Sequence, residues 1–136
     1  MILVDTSAWV EFLRTTGTPT HLHLRAVLEG DQELATTDVV VMEVLAGARD
    51  DPDRDKLRRL LYGCVFLAVE GPADYEQASE LYRACRRAGE TVRKLTDCLI
   101  AAVAIRTGAE LLHNDADYLA LARHAPLGLA AVAQTE

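Results

Sequence analysis

Apolar positions along this chain come in two kinds of run, and their spacing predicts strands alternating with helices. Ile2, Leu3 and Val4 form a short, continuously apolar stretch that breaks at Asp5. A run without polar alternation suits a strand buried on both faces. Residues 34–36, 64–69, 111–112 and 127–132 read as further short strands, the last at an edge. Between them the apolar period is helical. Residues 8–14 carry Trp9, Phe12 and Leu13, with Ser7 placed to cap the helix. Helices are also predicted over 21–28, over about 39–48 with Thr37 or Asp38 as cap, over 56–62, over 73–88 and over 118–123. Residues 50–55, with Pro52, read as a polar break. The segment from Thr96, read as a cap, to Arg106 is apolar almost all round: Leu95, Cys98, Leu99, Ile100, Val103, Ile105 and four alanines. Such a helix belongs in the centre of the fold, and Gly108 stops it. The alternation predicts one α/β domain over residues 1–136, a sandwich built on a mainly parallel sheet.

Composition narrows the function classes. Half of the 136 residues are hydrophobic, which suits a packed core. The longest apolar stretch, 98–105, is too short to span a bilayer. Asp5 interrupts the apolar start and no basic segment precedes it, so no secretory signal is expected. Cys64, Cys85 and Cys98 form neither a disulfide framework nor a zinc spacing, and they suit a reducing cytoplasm. His21 and His23 stand two apart on a helix, point in different directions, and read as surface residues. The net charge of −7 argues against polyanion binding by the whole surface. A local basic groove stays compatible with it, because local charge decides phosphate contact.

Four acids share a position in this pattern. Asp5 and Asp115 follow strands, Asp97 opens the buried helix, and Glu43 sits in the apolar helix VVVMEVLAGA after the second strand. In a parallel sheet, strand carboxyl ends and the amino ends of the following helices share one edge. The four carboxylates can converge there, and without a cation they would repel. Hard oxygen ligands, with no cysteine or paired histidine, point to Mg²⁺ or Mn²⁺. Thr6 and Ser7 could hold metal-bound waters and Asn114 could orient a carboxylate.

The segments ILVDTSAWVEFLR, VVVMEVLAGAR and KLTDCLIAAVAIRTGAELLHNDADYLALA, with their acids in this order, resemble PIN-domain ribonucleases of the VapC toxin type. The resemblance covers nearly the whole chain. It implies a three-layer α/β/α sandwich, Mg²⁺-dependent endonucleolytic cleavage of RNA, control by a VapB-type antitoxin, and a homodimer. Asp5, Glu43, Asp97 and Asp115 match the family's acidic positions, with Asp5, Asp97 and Asp115 as metal ligands and Glu43 and Asp117 as ligands through water. For Asp117 metal binding, helix capping and neither stay open. Tyr118 stands where Phe is common.

Arg83, Arg86, Arg87, Arg93 and Lys94 lead into Asp97 and are the candidates for RNA contact. Their other reading is a solvated helix face. No aromatic stacking platform is visible. A phosphatase of the haloacid-dehalogenase type also has an Asp after the first strand, but it needs a second acid two residues on, where Ser7 stands. A receiver domain needs a late lysine after a strand, and none follows Lys94. A non-catalytic module whose acids hold a partner's arginines stays open.

Overall fold

The computed structural model describes residues 1–132. Its frame is one sheet of β1 (Ile2–Val4), β2 (Leu34–Thr36), β3 (Val65–Phe66) and β4 (Glu110–Leu112), in the order β3-β2-β1-β4. All pairs are parallel, with Leu3 opposite Ala35 on one side and Leu111 on the other. β1 and β2 are buried throughout, as expected of central strands without polar alternation.

Seven helices complete the described chain: α1 (Thr6–Leu13), α2 (Pro19–Glu29), α3 (Asp38–Ala46), α4 (Asp51–Tyr62), α5 (Ala73–Arg87), α6 (Leu95–Thr107) and α7 (Ala116–His124). The chain steps from β1 through β2 to β3, then returns past β1 to β4. Right-handed crossovers therefore place α1–α4 on one face of the sheet and α5–α6 on the other. The packing agrees. α5 lies on α6 and α7, α1 on α2 and α3, and α3 on α4. The result is the three-layer sandwich. Connections leave β1 and β4 towards opposite faces, so a crevice opens between their carboxyl ends. Asp5 and Asp115 stand on its two sides.

Trp9 and Ala8 from α1, Leu3 and Val4 from β1, Leu111 and Leu112 from β4, and Ile100 and Val103 from α6 are all inaccessible to solvent. α6 is buried from Asp97 to Ala104, the central place its sequence predicted. Gly108 ends it at φ +74°, a left-handed conformation that glycine adopts without a Cβ clash.

Several expectations need correction. Asp5, not Ser7, caps α1, because its side chain accepts the Ser7 N–H. α6 starts at Leu95 after Lys94, so Thr96 lies inside the first turn, and Leu95 is 62% exposed instead of buried. The polar stretch 50–55 is the start of α4: Asp50 accepts the Asp53 N–H, and Pro52 occupies the first turn, where no N–H is needed. β3 is only two residues long: Leu67 N–H still donates to Thr36 O, but Val69 N–H turns to the Asp38 carboxylate. Residues 127–132 form an isolated bridge, Leu129 beside Leu111, and no strand. His21 is not a surface residue. It is buried, with Nδ1 accepting the Gly17 N–H at 3.0 Å and the ring edge-on to Phe12. Among the described residues no helix is long and apolar enough to cross a membrane.

Candidate functional site

Asp5, Glu43, Asp97 and Asp115 line one cavity of about 210 Å³, together with Thr6, Ser7, Val10, Glu11, Lys94 and Asn114. Backbone geometry brings them there. Asp5 N–H donates to Leu112 O at 2.9 Å and so extends the β1–β4 ladder to the point where both strands end. α3 touches α6, which carries Glu43 towards Asp97.

The hydroxyls hold the acids. Ser7 donates to Asp5 Oδ2 twice, from N at 2.9 Å and from Oγ at 2.5 Å. Ser7 Oγ also accepts the Asn114 N–H at 2.8 Å, which ties the end of β1 to the loop after β4. Thr6 Oγ1 donates to Glu43 Oε1 at 2.8 Å. Asn114 does orient a carboxylate, but it is that of Glu11, at 2.8 Å. Glu11 is a fifth acid on the cavity wall, and the sequence reading missed it. Its signal was its spacing, one helical turn past Ser7 on the same face of α1.

Asp97 is 5% exposed, and its Oδ2 is buried with no hydrogen-bond partner among the described residues. Burial, then the charges of Asp5 and Asp115, push its carboxyl up to about 7. Burial likewise holds His113 below the usual histidine range, and its Nδ1 accepts the Asp115 N–H. The buried Tyr118 hydroxyl was not foreseen at all. It donates to Asp5 Oδ1 at 2.6 Å and lies 3.3 Å from Asp97 Oδ1.

Asp115 caps α7 by accepting the Asp117 N–H. Asp117 is buried and accepts from Arg93 N at 3.1 Å and Nε at 3.3 Å. Arg93 Nη2 donates to Asp115 Oδ1 at 3.0 Å. Of the five basic candidates, then, Arg93 is engaged with site acids and Lys94 lines the cavity. Arg83, Arg86 and Arg87 do not line it. Arg83 pairs with Glu80, Arg86 lies over the Tyr82 ring, and Arg87 ends α5.

Compared with protein families, residues 2–124 match the family described as PIN domain. The chain belongs to the PIN-domain family. Within it, the chain is 48% identical over 124 residues to ribonuclease VapC11 of Mycobacterium tuberculosis, covering 90% of this chain and 92% of that protein. A VapC ribonuclease of Mycobacterium bovis matches equally well. Among solved structures, VapBC2 of Rickettsia felis bound to promoter DNA superposes with a TM-score of 0.72 at 18% identity, covering 96% of this chain and 98% of that one.

The acids of this PIN domain fit a divalent cation. Asp97, Asp115 and Asp117 each offer an oxygen, all within 4.8 Å of one another. The cavity offers carboxylates and hydroxyls but no thiol or imidazole, the donor set of a hard ion. The unpartnered Asp97 Oδ2 is an oxygen that only a cation, a proton or water would satisfy.

Proposed function

We propose that this PIN domain is a metal-dependent endoribonuclease and the toxin half of a toxin–antitoxin pair, acting in the cytoplasm as a homodimer. The observation that carries the reading is the convergence of four acids from β1, α3, α6 and the end of β4 on one cavity. Family membership and the ribonuclease relatives support RNA as substrate. Structures of VapBC complexes with the same fold support an antitoxin as partner.

Asp5, Asp97 and Asp115 would hold Mg²⁺ or Mn²⁺, with Glu43 reaching it through water and Asp117, which offers an oxygen within 4.8 Å of those of Asp97 and Asp115, reaching it directly or through water. Such a cation supplies Lewis-acid polarisation of the phosphodiester and a water acidic enough to attack it. The chain's own residues do the rest. Ser7 and Tyr118 fix both oxygens of Asp5. Thr6 holds Glu43 by Oε1 and leaves Oε2 to take a proton. Lys94 brings a positive charge to the wall where a phosphate oxygen would approach. Arg83, Arg86 and Arg87 would contact RNA beyond the cavity. Arginines of an antitoxin suit the same acids, since a guanidinium matches a carboxylate fork.

The test is cleavage of single-stranded RNA with EDTA, then with added Mg²⁺ or Mn²⁺. EDTA is expected to abolish cleavage and either metal to restore it. Full cleavage in EDTA would overturn the mechanism.

A further inference from the structure

Tyr118 is fully buried, and its ring packs 5.2 Å from that of His113. Packing alone asks nothing of its hydroxyl, since a phenylalanine would fill the same space. Yet the oxygen lies between the carboxylates of Asp5 and Asp97, at 2.6 Å and 3.3 Å. These acids come from different layers, one from the end of β1 and one from the first turn of α6.

A phenol has one proton to donate. The shorter contact identifies Asp5 Oδ1 as its acceptor. Ser7 already holds Oδ2 through two donors, so Asp5 is fixed at both oxygens and cannot swing about its Cβ. Asp97 keeps Oδ1 against the phenol oxygen and leaves Oδ2 bare. The pair thus consists of one immobilised carboxylate facing one with an unused oxygen.

We propose that Tyr118 is a positioning residue: its hydroxyl sets Asp5 at a fixed separation from Asp97, so that the two present a preformed seat for a divalent cation. The inference rests on the metal-dependent reading given above and assigns a role within it to a group that would not touch the ion. A cation drawing on the charge of Asp5 weakens the hydrogen bond from Tyr118, so the phenol also reports occupancy. Among the described residues, Tyr118 is the tyrosine bonded to a carboxylate.

The test is Mn²⁺ binding, read from the resonance of the free ion, for wild type, Tyr118→Phe and Asp97→Asn, with no RNA present. Tyr118→Phe is expected to bind Mn²⁺ at least tenfold more weakly, the usual cost of losing an outer partner of a metal ligand. Its melting curve in EDTA checks that it folds. A dissociation constant within twofold of wild type overturns the proposal. Saturating wild type with Mn²⁺ is also expected to change tyrosine ultraviolet absorption. That measurement needs no variant, and an unchanged spectrum in a protein that binds Mn²⁺ overturns the proposal as well. The two readings fail differently. If wild type binds no Mn²⁺, the metal site falls and this inference with it. If Asp97→Asn alone loses binding, the metal site stands and only the role of Tyr118 falls.

Discussion

Asp74 and Asp97 are both buried, at 2% and 5% exposure, and both lie in the first turn of a helix. Their surroundings pull them in opposite directions. Burial raises the carboxyl of Asp74, but the Arg106 guanidinium, the Glu70 N–H and the Arg106 charge together bring it below its usual range. Arg106 Nε and Nη2 engage both oxygens of Asp74, and Nη2 also donates to Ala68 O. Asp97 has a phenol oxygen beside one oxygen, no hydrogen-bond partner among the described residues on the other, and acids around it. One acid is finished by the fold and staples α5 to α6. The other is left unfinished, which costs stability and is useful only if something arrives to complete it.

The contrast breaks most sharply in activity. Asp97→Asn is expected to lower RNA cleavage by on the order of a thousandfold, about 4 kcal/mol of transition-state stabilisation, with the fold intact by circular dichroism. Asp74→Asn should leave cleavage per folded molecule unchanged. Equal losses in both variants would erase the distinction.

How much of this was legible beforehand follows from range in sequence. β1, β2 and β4 announce themselves as short apolar runs, and three of the acids are marked by their place just past a strand or at a helix start. Glu43 is marked by its apolar neighbours. What could not be read depends on distant partners. Tyr118 meets Asp5 across 113 positions, and Arg93 meets Asp117 across 24. Nothing in the local pattern separates an arginine engaged with site acids from Arg86 on its solvated face. The start of α4 was legible and misread: Asp50, the acids of the first turn and Pro52 make a helix start. At residues 127–132 apolar character was present without the pairing that makes a strand.

The two acids also predict opposite pH dependences in different windows. The folded value of Asp97, about 7, lies above its unfolded value near 3.8. As pH rises from about 4, the unfolded chain ionises first, so metal-free protein loses stability up to pH 7 and then levels off. A shift of that size is worth about 4 kcal/mol. Asp74 works the other way. Its folded value is depressed, so its stabilisation is present above pH 4 and fades as pH falls through that lower value. His113, also depressed, offsets part of the Asp97 slope, because its stabilisation is lost as pH falls below about 6.5. Subtracting melts of Asp97→Asn from wild type in EDTA isolates Asp97. A difference that stays flat from pH 4 to 7 would show that its carboxyl is not raised.

Thermal unfolding at neutral pH reads the Asp74 side of the comparison alone. Asp74→Asn leaves Arg106 with only the exposed Glu70 as a charge partner and is expected to cost about 3 kcal/mol, the low end for a broken buried pair because Arg106 is itself partly exposed. A loss under 1 kcal/mol would make Asp74 an ordinary surface-type pair and remove it as the finished counterpart.

The smallest effect decides whether the unfinished acid is completed by a cation. Asp5, Asp97 and Asp115 crowd one cavity, and the unfolded chain cannot hold them there. A cation that binds only the folded arrangement stabilises it by about 2.7 kcal/mol at a hundredfold excess over its dissociation constant. For a domain of this size that is a rise of roughly 5–10 °C in melting temperature. Asp97→Asn should act in two directions at once. In EDTA it removes a penalised charge, so its melting temperature equals or exceeds that of wild type. With Mg²⁺ it gains little, because the oxygen that needed a partner is now part of an amide. Asp74→Asn should melt lower in both conditions yet keep the full Mg²⁺ increment, because its acid was never part of the seat. If Asp97 merely serves the helix dipole, Asp97→Asn should melt lower in EDTA and Mg²⁺ should shift none of the three proteins.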